Sequence, residues 1–366
     1  MLQLRKSINN SKKIALLLPS FAEHDAMGNY VEIYADIFKR AGYEIQIFAR
    51  FFDSKFRGKV KSYEDFKSKD FDLLNYHHGI GDPVAEIAID TDIPILLYYH
   101  NITPAEYYLE YNWEIYQLLV QGRDQLKQMV KNVDFALSAS RYSDRELEQV
   151  GYINRDIIPV FFNPEKLIKI KPDQKTINYL NKHKFTNITF VGRFSAHKDQ
   201  ESLVKAFYLY KNHYNRESRL NLVGSCFEKR YLERIKEIIK NLGLEDSVNI
   251  PGMVSDEQLR AYFEQSAVML SMSEHEGFFV PVLEANFYET PIIAYNGGAV
   301  ADTMGDAGIL LKTKKPDIVA GIINKVVSDT DLRSALIENG KENYKKYAQE
   351  LYEQKLLNLV ESMIEE

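Results

Sequence analysis

Two kinds of stretch alternate along nearly the whole chain. One is a short, almost continuous apolar run; the other is longer, with apolar residues every three or four positions. Runs at 13–19 (KIALLLP), 43–49 (YEIQIFA), 71–78 (FDLLNYHH), 93–100 (IPILLYYH), 133–140 (VDFALSAS) and 156–162 (DIIPVFF) have the character of strands buried on both faces. They predict one parallel sheet. After the first run, Tyr30, Ile33, Tyr34, Ile37 and Phe38 repeat at helical spacing, and Gly42 supplies the stop. The alternation restarts after a polar, lysine-rich stretch with two prolines at 163–185, and runs at 186–193, 219–224, 247–252, 267–272, 291–296 and 308–311 supply a second set of strands.

The pattern predicts an α/β protein of two doubly wound, Rossmann-like domains: an N-terminal domain over 1–165, a linker over 166–185 and a second domain over 186–345. A C-terminal helix over 346–366, with Leu356, Leu359, Val360 and Met363 on one stripe, is expected to pack back toward the N-terminal domain.

Composition narrows the classes. A chain of 366 residues, 45% hydrophobic and 27% charged, suits an ordinary soluble globular protein. The net charge of -6 gives no sign of a nucleic-acid partner. Cys226 is the only cysteine, which excludes an internal disulfide and a multi-thiolate metal site and points to a reducing compartment, the cytoplasm by default. No run approaches the roughly 18 apolar residues of a membrane span. The opening residues MLQLRKSINNSKK lack the apolar core of a secretory signal, so export is not expected.

In open α/β sheets ligands bind outside the carboxyl ends of the strands, so the residues just after each run carry the chemistry. After 267–272 comes EHEGFFVPVLEA: Glu276 in a loop, Gly277 permitting close backbone approach, Pro281 suited to the first turn of a helix, and Glu284 expected in that same turn. The amides of Gly277, Phe278, Phe279 and Val280 would then point outward at a helix N-terminus, a phosphate cradle with two carboxylates on its rim. Read singly, Glu284 complements the helix dipole and Glu276 is solvated. After 186–193 come Gly192, Arg193 and, before the next helix, Lys198. Exposed cations at a helix start are misplaced by about 0.3 to 1 kcal/mol, and make sense around an anion. Arg193 offers a fork for phosphate oxygens, and Lys198 a mobile point charge.

These stretches carry a resemblance. VGRF…HK, SEHEGFFVPVLEA and AVADTMGDAGILL are similar to the C-terminal domain of retaining GT-B glycosyltransferases of the family 4 type (glycosyl transferases group 1), and Glu276 to Glu284 match that family's E-x7-E signature. The likeness is dense from about 186 to 312 and looser before it. It implies two Rossmann-like domains facing across a cleft, and a C-terminal domain that binds a nucleotide sugar, with Arg193 and Lys198 on the diphosphate, Glu284 on the ribose hydroxyls and Glu276 near the sugar. Gly224 (in LVGS) and Met253 (in PGMV) stand where such folds hold the base. In the N-terminal, acceptor-binding domain, Gly28 opens a helix, with Asn29 where relatives carry a second glycine. His100 takes the place of a histidine that faces the donor sugar, and His77 and His78 rank below it. Asp302 stands where relatives usually carry Glu.

The implied activity is transfer of a hexose, with retained configuration and without metal or other cofactor, from a UDP- or GDP-sugar to a saccharide or lipid-linked acceptor hydroxyl, in surface polysaccharide or glycolipid assembly. The rival classes are a GT-B-like sugar-nucleotide epimerase or hydrolase and a non-catalytic subunit of a glycosyltransferase complex. Several signals are set aside. The DFD at 70–72 and DTD at 90–92 precede strands rather than follow them, at the wrong sheet edge for a metal-binding DxD. Ser143 to Glu146 and Ser255 to Gln258 are expected to be capping boxes. Cys226 is expected to be packed. The basic stretch 55–69 is expected to be a solvated face and the aromatic stretch 107–119 a core helix. The other reading of both is a peripheral docking surface for anionic lipid, at the inner face of the membrane. Lys198 and Glu284 are expected at the rim, where replacement leaves the fold intact.

Overall fold

A computed structural model describes residues 11–22, 26–182 and 184–365; the first ten residues, used above to argue against a signal, lie outside them. Every apolar run identified from the sequence overlaps a strand, the run at 156–162 by its first two residues alone: β1 (Lys13–Phe21), β2 (Glu44–Phe52), β4 (Leu73–His78), β5 (Ile95–Tyr99), β6 (Phe135–Ser138) and β7 (Arg155–Ile157) in one sheet, and β8 (Thr186–Val191), β9 (Ser218–Val223), β10 (Val248–Gly252), β11 (Val268–Ser271), β12 (Ile292–Tyr295) and β13 (Ile309–Leu311) in the other. One strand has no such run. β3 (Val60–Ser62) pairs with β2 at the sheet edge, where only Val60 is buried. All pairings are parallel. The orders are β3-β2-β1-β4-β5-β6-β7 and β10-β9-β8-β11-β12-β13, so strand order reverses between β1 and β4 and between β8 and β11. Crevices at such reversals bind ligands in doubly wound folds.

Each sheet is covered on both faces. Ile14, Leu16, Val31, Tyr34 and Phe38 pack one side of the first sheet, and Leu17, Leu97, Ile102 and Leu126 the other. In the second sheet Phe190, Leu203, Phe207 and Leu222 face Phe279, Val282, Leu283 and Ile292 across the strands. Residues between the sheets form two short helices, Pro164–Lys169 and Gln174–Asn181, capped by Asn163 and Asp173. The chain then crosses back. Phe162 bridges to Ala348, and the helix Gln349–Glu365 buries Leu356, Val360 and Met363 in the core of the first sheet, with Arg40 paired to Glu353 at 2.7 Å.

One expected cap is formed and one is not. Ser255 and Gln258 cap each other reciprocally. Ser143, by contrast, lies inside the helix Arg141–Val150; the cap is Ser140, whose Oγ accepts from the Ser143 amide, and Glu146 instead accepts from Tyr99 and Asn101. A serine at 140 already satisfies the orphan amide, which frees Glu146 for the strand end.

Candidate active site

The carboxyl ends of the two sheets meet. The loop after β11 rests on the loop after β5 so closely that a Cβ on Gly277 would lie 2.6 Å from Asn101 Cβ and 3.1 Å from the His100 carbonyl. Ser140 Oγ donates to the Gly277 carbonyl at 2.8 Å. Tyr108, from the first domain, accepts from Ser195 Oγ of the second at 3.0 Å. The cleft is therefore bordered by His100 on one side and by Arg193 to Lys198 and Ser273 to Phe279 on the other.

At its centre is an ion pair. Lys198 Nζ donates to Glu276 Oε2 at 2.6 Å, with side-chain exposures of only 14% and 7%. Burial holds the ammonium pKa below its usual value, and Glu276 pulls it back up. Glu276 Oε1 is buried with no hydrogen-bond partner, and so is His275 Nε2. Burial and the Lys198 charge push His275 down to about 4, so it is neutral at pH 7. Orphaned buried polar atoms are rare, and each costs about 1 to 3 kcal/mol unless a ligand supplies the partner. Backbone makes the pocket narrow: a Cβ on Gly298 (φ +59°) would meet the Glu276 carbonyl at 2.4 Å. The structure thus brings Lys198 and Glu276 together, largely buried, where the sequence placed Lys198 at the rim.

Glu284 also departs from the expected position. Its helix begins at Val280, with Pro281 in the first turn as expected, so Glu284 stands on the second turn rather than the first. Burial raises its carboxyl to about 7, with Asp256 adding to the rise and Lys166 opposing it. The amide cradle is half the size anticipated. The Phe279 amide donates to Thr303 Oγ1 and the Val280 amide to the Phe278 carbonyl, which leaves those of Gly277 and Phe278 without partners among the described residues. Phe279 itself is a core side chain, and Phe278 packs between the cores of the two domains. Arg193 is exposed and in no ion pair among the described residues. Gly192 and Gly224 fit together as backbone alone, since a Cβ on Gly224 would lie 2.0 Å from the Gly192 carbonyl. Met253 is 66% exposed.

In the first domain, Gly28 is buried and Asn29 exposed in the helix Ala26–Arg40. His100 is half-buried, and its Nε2 lies 2.9 Å from His77 Nδ1. Burial pushes it down to about 3. His78 points to the other face of β4, held by Tyr76 and the Gly122 carbonyl. Three further contacts carry no local sequence signal. His197, 2% exposed, lies 3.1 Å from Ser195 Oγ. Lys314 bridges Asp199 and Glu274 at 2.7 and 2.6 Å. Asp302 accepts from the Tyr142 amide at 2.9 Å, which makes it a clasp between the domains. His275 alone stood in view, between the acids of the loop. Among the described residues no three His, Cys, Asp or Glu side chains are grouped to hold a metal ion, and no helix is long and apolar enough to cross a membrane.

Two doubly wound domains whose strand ends converge on one cleft define the GT-B fold. Solved structures agree: sucrose-phosphate synthase from Thermosynechococcus elongatus superposes with a TM-score of 0.76 at 19% identity, covering 96% of this chain and 99% of that one. Anabaena HepE in complex with UDP and glucose gives 0.77 at 17% identity, covering 96% and 100%. Residues 173–343, a little under half of the chain, match the model of glycosyl transferases group 1. An uncharacterized glycosyltransferase of Methanocaldococcus jannaschii is 29% identical over 44% of this chain and 41% of its own. Four curated relatives are matched over 40 to 55% of their own length, and others over less.

Proposed function

We propose that the protein is a glycosyltransferase that moves a hexose, with retention of configuration, from a nucleotide diphosphate sugar to an acceptor hydroxyl. The observation that carries this reading is Glu276: a buried carboxylate, charge-balanced through one oxygen by Lys198 and left without a hydrogen bond on the other. A sugar hydroxyl is the donor it lacks. Arg193, exposed and in no ion pair among the described residues, and Lys198 would bear on the diphosphate and stabilise the charge that grows as the glycosidic bond breaks. Glu284 would accept from the ribose diol, and a ligand that donates to it favours its charged form over the protonated one that burial promotes. His100 adds a polar group for sugar hydroxyls, and so does the orphan ring nitrogen of His275, which donates or accepts according to its tautomer. The acceptor would enter from the first domain, and attack on the face the diphosphate leaves lets that group assist deprotonation. Contact between the two loops excludes water from the reacting centre, which disfavours donor hydrolysis. No step is routed through a metal.

Thermal-shift measurement with UDP-, GDP-, dTDP- and ADP-sugars tests donor binding, since a specific ligand raises the unfolding temperature by mass action. A product assay with saccharide and lipid-linked acceptors then separates transfer from isomerisation or hydrolysis. A protein that no activated sugar stabilises, in wild type but also in no condition of pH or salt, rules the proposal out. Assembly of a surface polysaccharide or glycolipid is the setting the family suggests, and a lipid-linked product would support it.

A further inference from the structure

His100 is one end of a polar chain whose direction the backbone sets. Asn75 and His77 lie two apart on β4, so their side chains share one face of the sheet. Asn75 Nδ2 donates to the Leu96 carbonyl at 3.0 Å. The amide cannot be turned round, because its oxygen would then face another carbonyl oxygen with no hydrogen between them. Asn75 Oδ1 is therefore an acceptor, and His77 Nε2, at 3.1 Å, is the donor to it. In a neutral imidazole one nitrogen donates and the other accepts. His77 Nδ1 is thus bare and takes the proton of His100 Nε2 at 2.9 Å. By the same rule His100 Nδ1 carries no proton. It has no partner among the described residues and is not enclosed.

Both rings are held in place. Asn75 and His77 have no solvent exposure. Tyr30 meets His100 edge-on at 5.8 Å, and Tyr98 lies 4.8 Å from it. Burial, helped by His100 in the case of His77 and by His78 in the case of His100, keeps both histidines neutral at ordinary pH. We infer that Asn75 and His77 are positioning residues that lock His100 with Nδ1 as a hydrogen-bond acceptor, so that the group it meets must be a donor such as a hydroxyl and not a carboxylate. This rests on the proposed function only for the identity of that group; the proton arrangement stands without it. A reacting sugar is then oriented by an acceptor fixed before it arrives, and no tautomer has to change when it binds.

Imidazole nitrogen chemical shifts of the 15N-histidine-labelled, ligand-free protein at neutral pH read this directly, with His77→Gln and His100→Gln assigning the signals. Wild type should show His100 protonated at Nε2 and bare at Nδ1. Asn75→Leu should turn that single state into a mixture of tautomers, as should His77→Leu. His77→Gln keeps a donor and an acceptor in the same order and should preserve the wild-type pattern at His100. With UDP-glucose as probe, His77→Leu should lower kcat and kcat/KM together by about tenfold, the scale of one hydrogen bond, and His77→Gln should restore most of it. A proton on His100 Nδ1 in wild type overturns the inference whether or not the variants fold, and so does a His100 pattern that neither leucine variant changes. If UDP-glucose and the other activated sugars neither bind nor turn over, the proposed function falls while the nitrogen shifts still decide the relay.

Discussion

Removing Lys198 should cost the fold far more than removing an exposed lysine. At 2.6 Å and an effective dielectric of about 20, the attraction between Lys198 and Glu276 is about 6 kcal/mol before desolvation is counted. Desolvation of two largely buried charges offsets much of that, so the pair as a unit adds little net stability. Breaking it is different. Lys198→Ala leaves Glu276 buried, negatively charged and without either hydrogen bond, since Oε1 has no partner to begin with. The expected loss is about 3 to 5 kcal/mol. For a domain of this size that corresponds to a fall of about 6 to 20 °C in the unfolding temperature.

The double variant Lys198→Ala, Glu276→Gln removes both charges and should recover at least about 2 kcal/mol of the loss, which a thermodynamic cycle over four proteins measures as coupling. Glu276→Gln alone strands the ammonium instead. Burial already lowers the Lys198 pKa, and without Glu276 to raise it the shift deepens. The unfolded state then binds more protons than the folded one, so stability of this variant should rise as pH climbs toward the normal lysine range. Calorimetry or urea unfolding monitored at two pH values gives all of these quantities. A Lys198→Ala protein within about 1 kcal/mol of wild type, or a cycle with no coupling, would falsify the argument that the pair is buried and obligate.

Two other sites yield expectations of the same kind. Glu284 titrates near 7 in the folded chain, so the native state holds a proton that the unfolded state has released between about pH 4.5 and 7. Wild-type stability should therefore fall by up to about 3 kcal/mol over that interval and level off above it; Glu284→Gln should be flat there while losing nucleotide-sugar binding, and equal pH slopes in the two proteins would remove the assignment. Asp302 clasps the two domains through the Tyr142 amide at the start of a helix. Asp302→Ala should cost about 1.5 to 3 kcal/mol and widen the particle in solution scattering, and an unchanged radius of gyration would show that the clasp does not hold the domains closed.

Why some of this was legible in the sequence and some was not follows from the range of each interaction. Strands buried on both faces announce themselves residue by residue, which is why the long apolar runs locate strands, though 156–162 runs past the end of its own, and why β3, half-exposed at an edge and interrupted by Lys61, has no such run. Topology adds one more inference, since a doubly wound sheet sends the residues after its strands to a single rim. That rule was enough to select Arg193, Lys198, Glu276 and His100. It says nothing about partners. Lys198 and Glu276 are 78 residues apart, Tyr142 and Asp302 160, and His77 and His100 23, with no periodicity linking any of these pairs. Yet the partner decides the chemistry. An isolated Lys198 is a free cation for phosphate, whereas Lys198 against Glu276 is half of a neutral unit whose exposed need is a hydrogen-bond donor. An isolated His100 can offer either a proton or a lone pair, whereas His100 against His77 can offer only a lone pair. The cleft is thus richer in fixed acceptors than its basic and acidic residues suggest when counted singly, and a polyhydroxyl ligand satisfies it better than a bare anion does.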